Sequence, residues 1–234
     1  MSCNYLIDHI PPNTPCTRRP ALPMLATTIT IHNTGNPSST ARNERNWLTN
    51  PSNNRTASYH IVVDEREAIE CLPLTENAWH SGDGSGAKSG NRTSIGIEIC
   101  ESGDYAKTLD NAAVLVASML RERGWGVDRL RRHYDWSGKI CPRLMYDNGK
   151  WTGWEAFKAT VSSKLTQLVQ ESELKQERGD IMEKIEVYMN DKKLIDGLYD
   201  TKAGITYVPV RTVAEALGAG VKWDAKNKRV ELKC

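Results

Sequence analysis

The chain has 234 residues, 39% hydrophobic and 26% charged, with a formal net charge of +2. That composition is ordinary for a globular protein of one large domain, or a medium one plus a small one, and its Lys and Arg residues form no stripe that would hold a nucleic acid. No basic start followed by an apolar run opens the sequence and nowhere do about 18 apolar residues follow one another, so neither an export signal nor membrane insertion is expected.

In chain order, LATTITIHNT (25–34) is rich in Ile and Thr and reads as a strand, and STARNERNWLTN (39–50) as a helix opened by Ser or Thr caps. SYHIVVDE (58–65) and TSIGIEIC (93–100) are two more strands, and TLDNAAVLVASMLRERG (108–124) is a long amphipathic helix ended by Gly124. A third helix is predicted over WEAFKATVSSKLTQLV (154–169). Strands interleaved with helices predict an α/β domain with a central sheet, over residues 1–167.

The charged stretch LTQLVQESELKQERGDIMEK (165–184) reads as a helix tail running into a linker, placed at 168–182. Residues 183–234 form a small α+β domain in this reading. IEVYMN and KRVEL alternate apolar and polar as half-buried strands, RTVAEALG is a short helix stopped by Gly218, and Val208, Val210, Val213, Ala214, Leu217 and Val221 supply a core.

Six cysteines, at 3, 16, 71, 100, 141 and 234, show no C-x-x-C pair and no regular spacing, which predicts plain thiols. Cys141 stands out because it lies in DWSGKICP (135–142), eight residues after His133, while His32 ends the apolar strand ITI. Two imidazoles and a thiolate suit zinc, although the spacing alone equally suits a surface histidine and a core cysteine. Glu98 shares one strand face with Gly96, opposite Ile95, Ile97 and Ile99. A carboxylate in so apolar a strand needs a partner: either an ion pair at a sheet edge, or a site where it works as a general base.

The order SYHIVVD, AWHSGDGSG, NRTSIGIEI and HYDWSGKICP, spanning about residues 5–165, resembles the zinc-dependent N-acetylmuramoyl-L-alanine amidases of phage endolysins, relatives of the peptidoglycan recognition proteins. The resemblance implies a mixed central β-sheet flanked by helices, with a zinc ion at the bottom of a groove. It implies His32, His133 and Cys141 as the metal ligands, Glu98 as the catalytic carboxylate, Lys139 as the cation that steadies the oxyanion, and Tyr59 beside the attacking water. The implied reaction is hydrolysis of the amide between N-acetylmuramic acid and L-alanine in peptidoglycan; the alternative is a non-catalytic peptidoglycan recognition module. Trp79 and His80 are expected to line the groove, and His60, facing away from Tyr59, to be structural. The resemblance further implies a protein made in a host cytoplasm that reaches the wall through a pore formed by another protein.

The tract YVPVRTVAEALGAGVKWDAKNKRVEL resembles the small repeat at the N-terminus of copper amine oxidases and on bacterial surface proteins. It carries no histidine for copper, and its expected role is binding a cell-wall polymer, with Tyr188, Tyr199, Tyr207 and Trp223 either as contacts or as packing. Glu177 to Asp180 can be encoded by a purine-rich, ribosome-recruiting message, with Met182 at a suitable distance. A free C-terminal fragment starting at Met182 could then assemble with the full chain; an ordinary charged linker is the alternative.

Overall fold

The computed structural model describes residues 4–233, which leaves Cys3 and Cys234 outside the described residues. The chain separates into two units, one up to Val169 and one from Gln170. In the first, the strands are β1 (Asn4–Ile7), β2 (Thr28–Asn33), β3 (Ile61–Val63), β4 (Glu67–Glu70), β5 (Ser94–Ile99) and β6 (Leu130–Arg132). The helices are α1 (Ala41–Trp47), α2 (Gly90–Thr93), α3 (Tyr105–Glu122) and α4 (Tyr134–Ser137), and α5 (Thr152–Ile181) begins in this unit and continues past its last residue.

Six strands form one sheet in the order β1-β4-β3-β5-β2-β6, parallel throughout except for the β3–β4 pair. This is the mixed sheet flanked by helices that the sequence predicts. The interior strands β2 and β5 are buried along almost their whole length, with their isoleucines on one face and Thr30, His32, Gly96 and Glu98 on the other. Ile29 and Ile31 of β2 and Ile95, Ile97 and Ile99 of β5 are fully buried, in one cluster with Ala112, Val116 and Leu120 of α3 and Trp154, Phe157 and Val161 of α5. A second cluster includes Ala41, Leu48, Tyr59, Val62, Cys71 and Cys100.

In this unit three strands escaped the sequence reading. β1, β4 and β6 are only three or four residues long and their charged neighbours blur any alternation. The Thr40 hydroxyl caps α1 by accepting from the Asn43 N–H, as the Ser/Thr signal suggested. α5 departs further. Where a helix ending at 169 and a linker over 168–182 were expected, one helix runs to Ile181. From Trp154 to Arg178 the sequence has no Gly or Pro and is dominated by good helix formers, so nothing stops it.

The second unit contains β7 (Met182–Met189), β8 (Lys192–Asp200), β9 (Ile205–Tyr207), α6 (Val210–Ala216), β10 (Gly220–Asp224) and β11 (Arg229–Lys233). β7, β8 and β9 form an antiparallel sheet and β10 pairs with β11. Asn190 and Asp191 both take positive φ between β7 and β8, as a tight two-residue hairpin requires. Of the core expected here, Ala214 is buried and Val208, Val213 and Val221 are half-buried. Among the described residues of this unit only Ala214 and Ala219 are buried apolar side chains, while Val210 and Leu217 are 45% and 71% exposed. A short helix beside two small sheets has too little surface to enclose its larger side chains.

Candidate active site

Ligands of open α/β sheets gather at the carboxyl ends of parallel strands, and three neighbouring strands of the first unit deliver polar side chains there. His32 lies near the end of β2, directly paired in register with Glu98 of β5. His133 follows β6 immediately. The chain then makes α4, reverses at Gly138 in the left-handed region, and presents Lys139 and Cys141. The Tyr134 N–H closes this loop on the Cys141 carbonyl at 3.2 Å. Gly82 completes the support: its φ is +72°, and a Cβ there would stand 3.2 Å from His133 Nε2 and 3.1 Å from Ser137 Oγ.

The three donors converge. His32 Nδ1 is 3.1 Å from His133 Nδ1 and 3.7 Å from Cys141 Sγ, and the three atoms lie within 4.8 Å of one another. A tetrahedral ion with metal–nitrogen bonds of about 2.0–2.1 Å and a metal–sulfur bond of about 2.3 Å holds its donors roughly 3.3–3.6 Å apart. The set therefore fits zinc in type and in spacing. The backbone of Ser81 hydrogen-bonds His133 and favours its protonated ring, which leaves the imidazole's other nitrogen facing His32.

The electrostatics agree. Burial, with His80, His133 and Lys139 adding to it, pushes His32 well below its ordinary pKa, and burial together with Lys139 brings His133 down to about 4. Both rings are neutral at pH 7 and offer lone pairs. Burial and the Glu98 charge lift the Cys141 thiol to about 12, so binding a metal there displaces a proton. Glu98 is raised to about 8 by burial and by Glu44, against the pull of Lys139, and its Oε2 is buried without a hydrogen-bond partner. An orphaned carboxyl oxygen beside a three-donor cluster is where a reacting water or amide can be held.

A cavity of about 360 Å³ opens onto these groups, with His32, Glu98, His133, Lys139 and Cys141 among its lining residues. Lys139 is exposed, and its ammonium acts electrostatically on all four of the others. Trp79 lines the same cavity, with its indole N–H held by the Thr17 carbonyl at 3.0 Å. Tyr59 lines it too, on the same cavity as Glu98, with its hydroxyl donating to the Glu44 carbonyl at 2.8 Å. His80 touches the cavity while lying behind His32, ring centroids 5.1 Å apart. His60 accepts the Gly96 N–H at Nδ1 and donates from Nε2 to the Glu76 carbonyl, both side-chain positions being spent on backbone.

Sequence reasoning missed Trp47, Arg55 and Thr34 on the cavity wall. Trp47, 43% exposed at the end of a short polar helix, carried a signal as an unexplained surface aromatic. Arg55 and Thr34 sit on loops that no periodicity describes.

Comparison with known proteins points one way. Residues 22–144 match the family model described as N-acetylmuramoyl-L-alanine amidase, and residues 182–234 match that of the copper amine oxidase N-terminal domain. The chain is 47% identical over 133 residues to the N-acetylmuramoyl-L-alanine amidase CwlA of Bacillus subtilis, covering 55% of this chain and 47% of that protein. It is 45% identical over 146 residues to XlyB of the same organism, covering 61% and 44%. The chain thus spans about half the length of the curated relatives it matches. Among solved structures, the catalytic domain of XlyA aligns with a TM-score of 0.60 at 41% identity, covering 68% of this chain and 99% of that one. The structure of PlyL aligns with a TM-score of 0.60 at 36% identity, covering 70% and 99%.

Proposed function

The chain belongs to the N-acetylmuramoyl-L-alanine amidase family, and from that premise we propose that it is a peptidoglycan hydrolase of the endolysin kind, cutting the amide between N-acetylmuramic acid and L-alanine. One observation carries the proposal: His32 Nδ1, His133 Nδ1 and Cys141 Sγ converge within 4.8 Å on a cavity that also holds the unpartnered Oε2 of Glu98.

In this reading His32, His133 and Cys141 hold zinc, which when bound supplies Lewis acidity toward water and the amide carbonyl. The chain's own groups do the rest. Glu98 takes a proton from the attacking water and passes it to the leaving L-alanine nitrogen, a transfer that needs the carboxylate form toward which Lys139 draws it. The Lys139 ammonium, on the same cavity, offsets negative charge developing on the carbonyl oxygen, and a preorganised charge of this kind contributes a few kcal/mol in the transition state. Trp79 and Trp47 give the wall apolar faces against which the substrate is oriented.

The C-terminal unit is proposed to bind a cell-wall polymer, raising the local concentration of the enzyme on its substrate. Tyr188, Tyr207 and Trp223, 56%, 49% and 56% exposed, are the contacts its surface offers. A second start at Met182 is proposed with it. Met182 is the first residue both of β7 and of the C-terminal match, so a fragment begun there holds the whole matched segment.

The test is digestion of purified peptidoglycan with new N-terminal alanine and new reducing ends measured side by side. Alanine amines without reducing ends, lost in Glu98→Gln, support the amidase. Wall binding without either product makes the protein a recognition module.

A further inference from the structure

We propose that His80 is a positioning residue that dictates which nitrogen of His32 carries the proton, holding the Nδ1 of His32 as a bare lone pair for zinc. The inference rests on the zinc reading above and concerns a residue one layer behind the ligands.

The hydrogen-bond chain begins at an atom whose role is not in doubt. The Ser94 carbonyl only accepts, and His80 Nε2 lies 3.0 Å from it, so His80 Nε2 bears a hydrogen. A neutral imidazole has one N–H, and the buried His80 ring has the Ser94 carbonyl and His32 as its hydrogen-bond partners, with no carboxylate among the described residues beside them to hold a second proton. His80 Nδ1 is therefore an acceptor. His32 Nε2 is 3.0 Å from that nitrogen and must donate to it, which leaves His32 Nδ1 unprotonated. That same Nδ1 faces His133 Nδ1 at 3.1 Å and Cys141 Sγ at 3.7 Å. With His133 bonded to the Ser81 backbone from its far side, two nitrogen lone pairs approach closely, an arrangement that a cation between them relieves.

His80 is built into place. Its backbone N–H donates to Asn91 Oδ1 at 2.6 Å, and the next residue's N–H reaches the same oxygen at 2.9 Å. Its ring occupies space that only glycine leaves open on β5, because a Cβ on Gly96 would stand 2.7 Å from His80 Cγ and 2.9 Å from its Nδ1. The His60 ring, itself fixed by backbone at both nitrogens, backs it with centroids 5.8 Å apart. Glycine in the middle of a buried strand marks such a close approach, so the Gly96 of GIEI and the His80 of AWHSG are two parts of one device. Partners behind a ligating histidine commonly set tautomer and metal affinity in this way.

The experiment uses the full chain, native and as His80→Leu and His80→Asn. Leucine keeps the bulk and loses the acceptor; asparagine puts its Oδ1 close to where Nδ1 was. Long-range proton–nitrogen correlation spectra of the metal-free native protein should show His32 protonated at Nε2. Zinc affinity, read by competition with a chromophoric chelator, should fall by about 10–100-fold in His80→Leu and stay within about threefold of native in His80→Asn. A packing role alone would reverse that ranking. A proton on His32 Nδ1 in the native metal-free protein overturns the proposal, as does native zinc affinity in a folded His80→Leu. If the native chain binds no zinc, the zinc reading fails, whereas the tautomer spectrum still decides the role of His80.

Discussion

The two units of this chain solve the problem of being stable in opposite ways. The first encloses a mostly parallel sheet between helices, with Ile29, Ile31, Ile95 and Ile97 fully buried, and can therefore hold histidines, a thiol and a carboxyl away from water at one end of its strands. The second buries only two alanines among its described apolar side chains and leaves Leu217, Trp223 and Leu232 more than half exposed. A deep core is what allows pKa values to be displaced far enough for chemistry. Consistent with that, groups displaced by burial cluster in the first unit, while in the second Lys193 and Asp196 move because of a surface ion pair and Asp224 because of hydrogen bonds from Asn227.

The sharpest way to break this contrast is at the carboxyl. Glu98→Gln should lower amide hydrolysis by about 10²–10⁴-fold with little change in thermal unfolding, because its Oε2 bonds nothing in the fold. A loss of folding in step with activity would move Glu98 from chemistry to structure. Next in size is a pair of truncations, followed by denaturant unfolding. Ile97→Ala, in the middle of β5, should cost about 2–5 kcal/mol, whereas Leu217→Ala, 71% exposed, should stay within about 0.5 kcal/mol. Equal costs would mean that the second unit has a core after all.

Acid provides a third test. His60 is buried and its pKa is lowered to about 4, while the unfolded chain titrates near 6.5. The unfolded state thus binds the extra proton between those values, and the stabilisation, present above about 6.5, is lost as pH falls through the folded pKa, on the order of 3 kcal/mol in all. His60→Gln should flatten the pH dependence of stability over that window; an unchanged slope would assign it to other groups. The smallest effect belongs to the Arg19–Glu76 pair, whose two contacts measure 2.7 and 2.8 Å. The Arg19 hydrogen bond holds the Glu76 carboxyl below its usual range, so its contribution is present above the unfolded carboxyl pKa and lost as pH falls through the folded one. Glu76→Gln should cost about 1 kcal/mol at pH 7 and nothing at pH 2, by thermal melts.

The sequence spoke most clearly where residue type and chemistry coincide. The strands around Ile31 and Ile97 announce themselves by apolar content, and Glu98 by breaking that pattern, while His32, His133 and Cys141 entered as a donor set of the right softness. What it did not disclose is geometry carried by backbone. No spacing rule reveals that the Tyr59 hydroxyl turns to the Glu44 carbonyl, or that His80 reaches the Ser94 carbonyl from behind His32. Gly96 was visible as a small residue beside Glu98, yet the ring that fills its space comes from a loop sixteen positions earlier. In the second unit Val210 and Leu217 looked like core because apolar pattern reports what a segment could bury, not whether enough neighbours exist to bury it.

The most direct measurement is metal content of the purified chain, native and with Cys141→Ala, taken beside release of N-terminal alanine from peptidoglycan before and after chelation. About one zinc per native chain, activity lost to the chelator and restored by zinc, and neither metal nor activity in Cys141→Ala is the predicted result. Alanine release that survives complete removal of zinc, or zinc retained without loss in Cys141→Ala, would contradict the assignment of His32, His133 and Cys141 as the metal site.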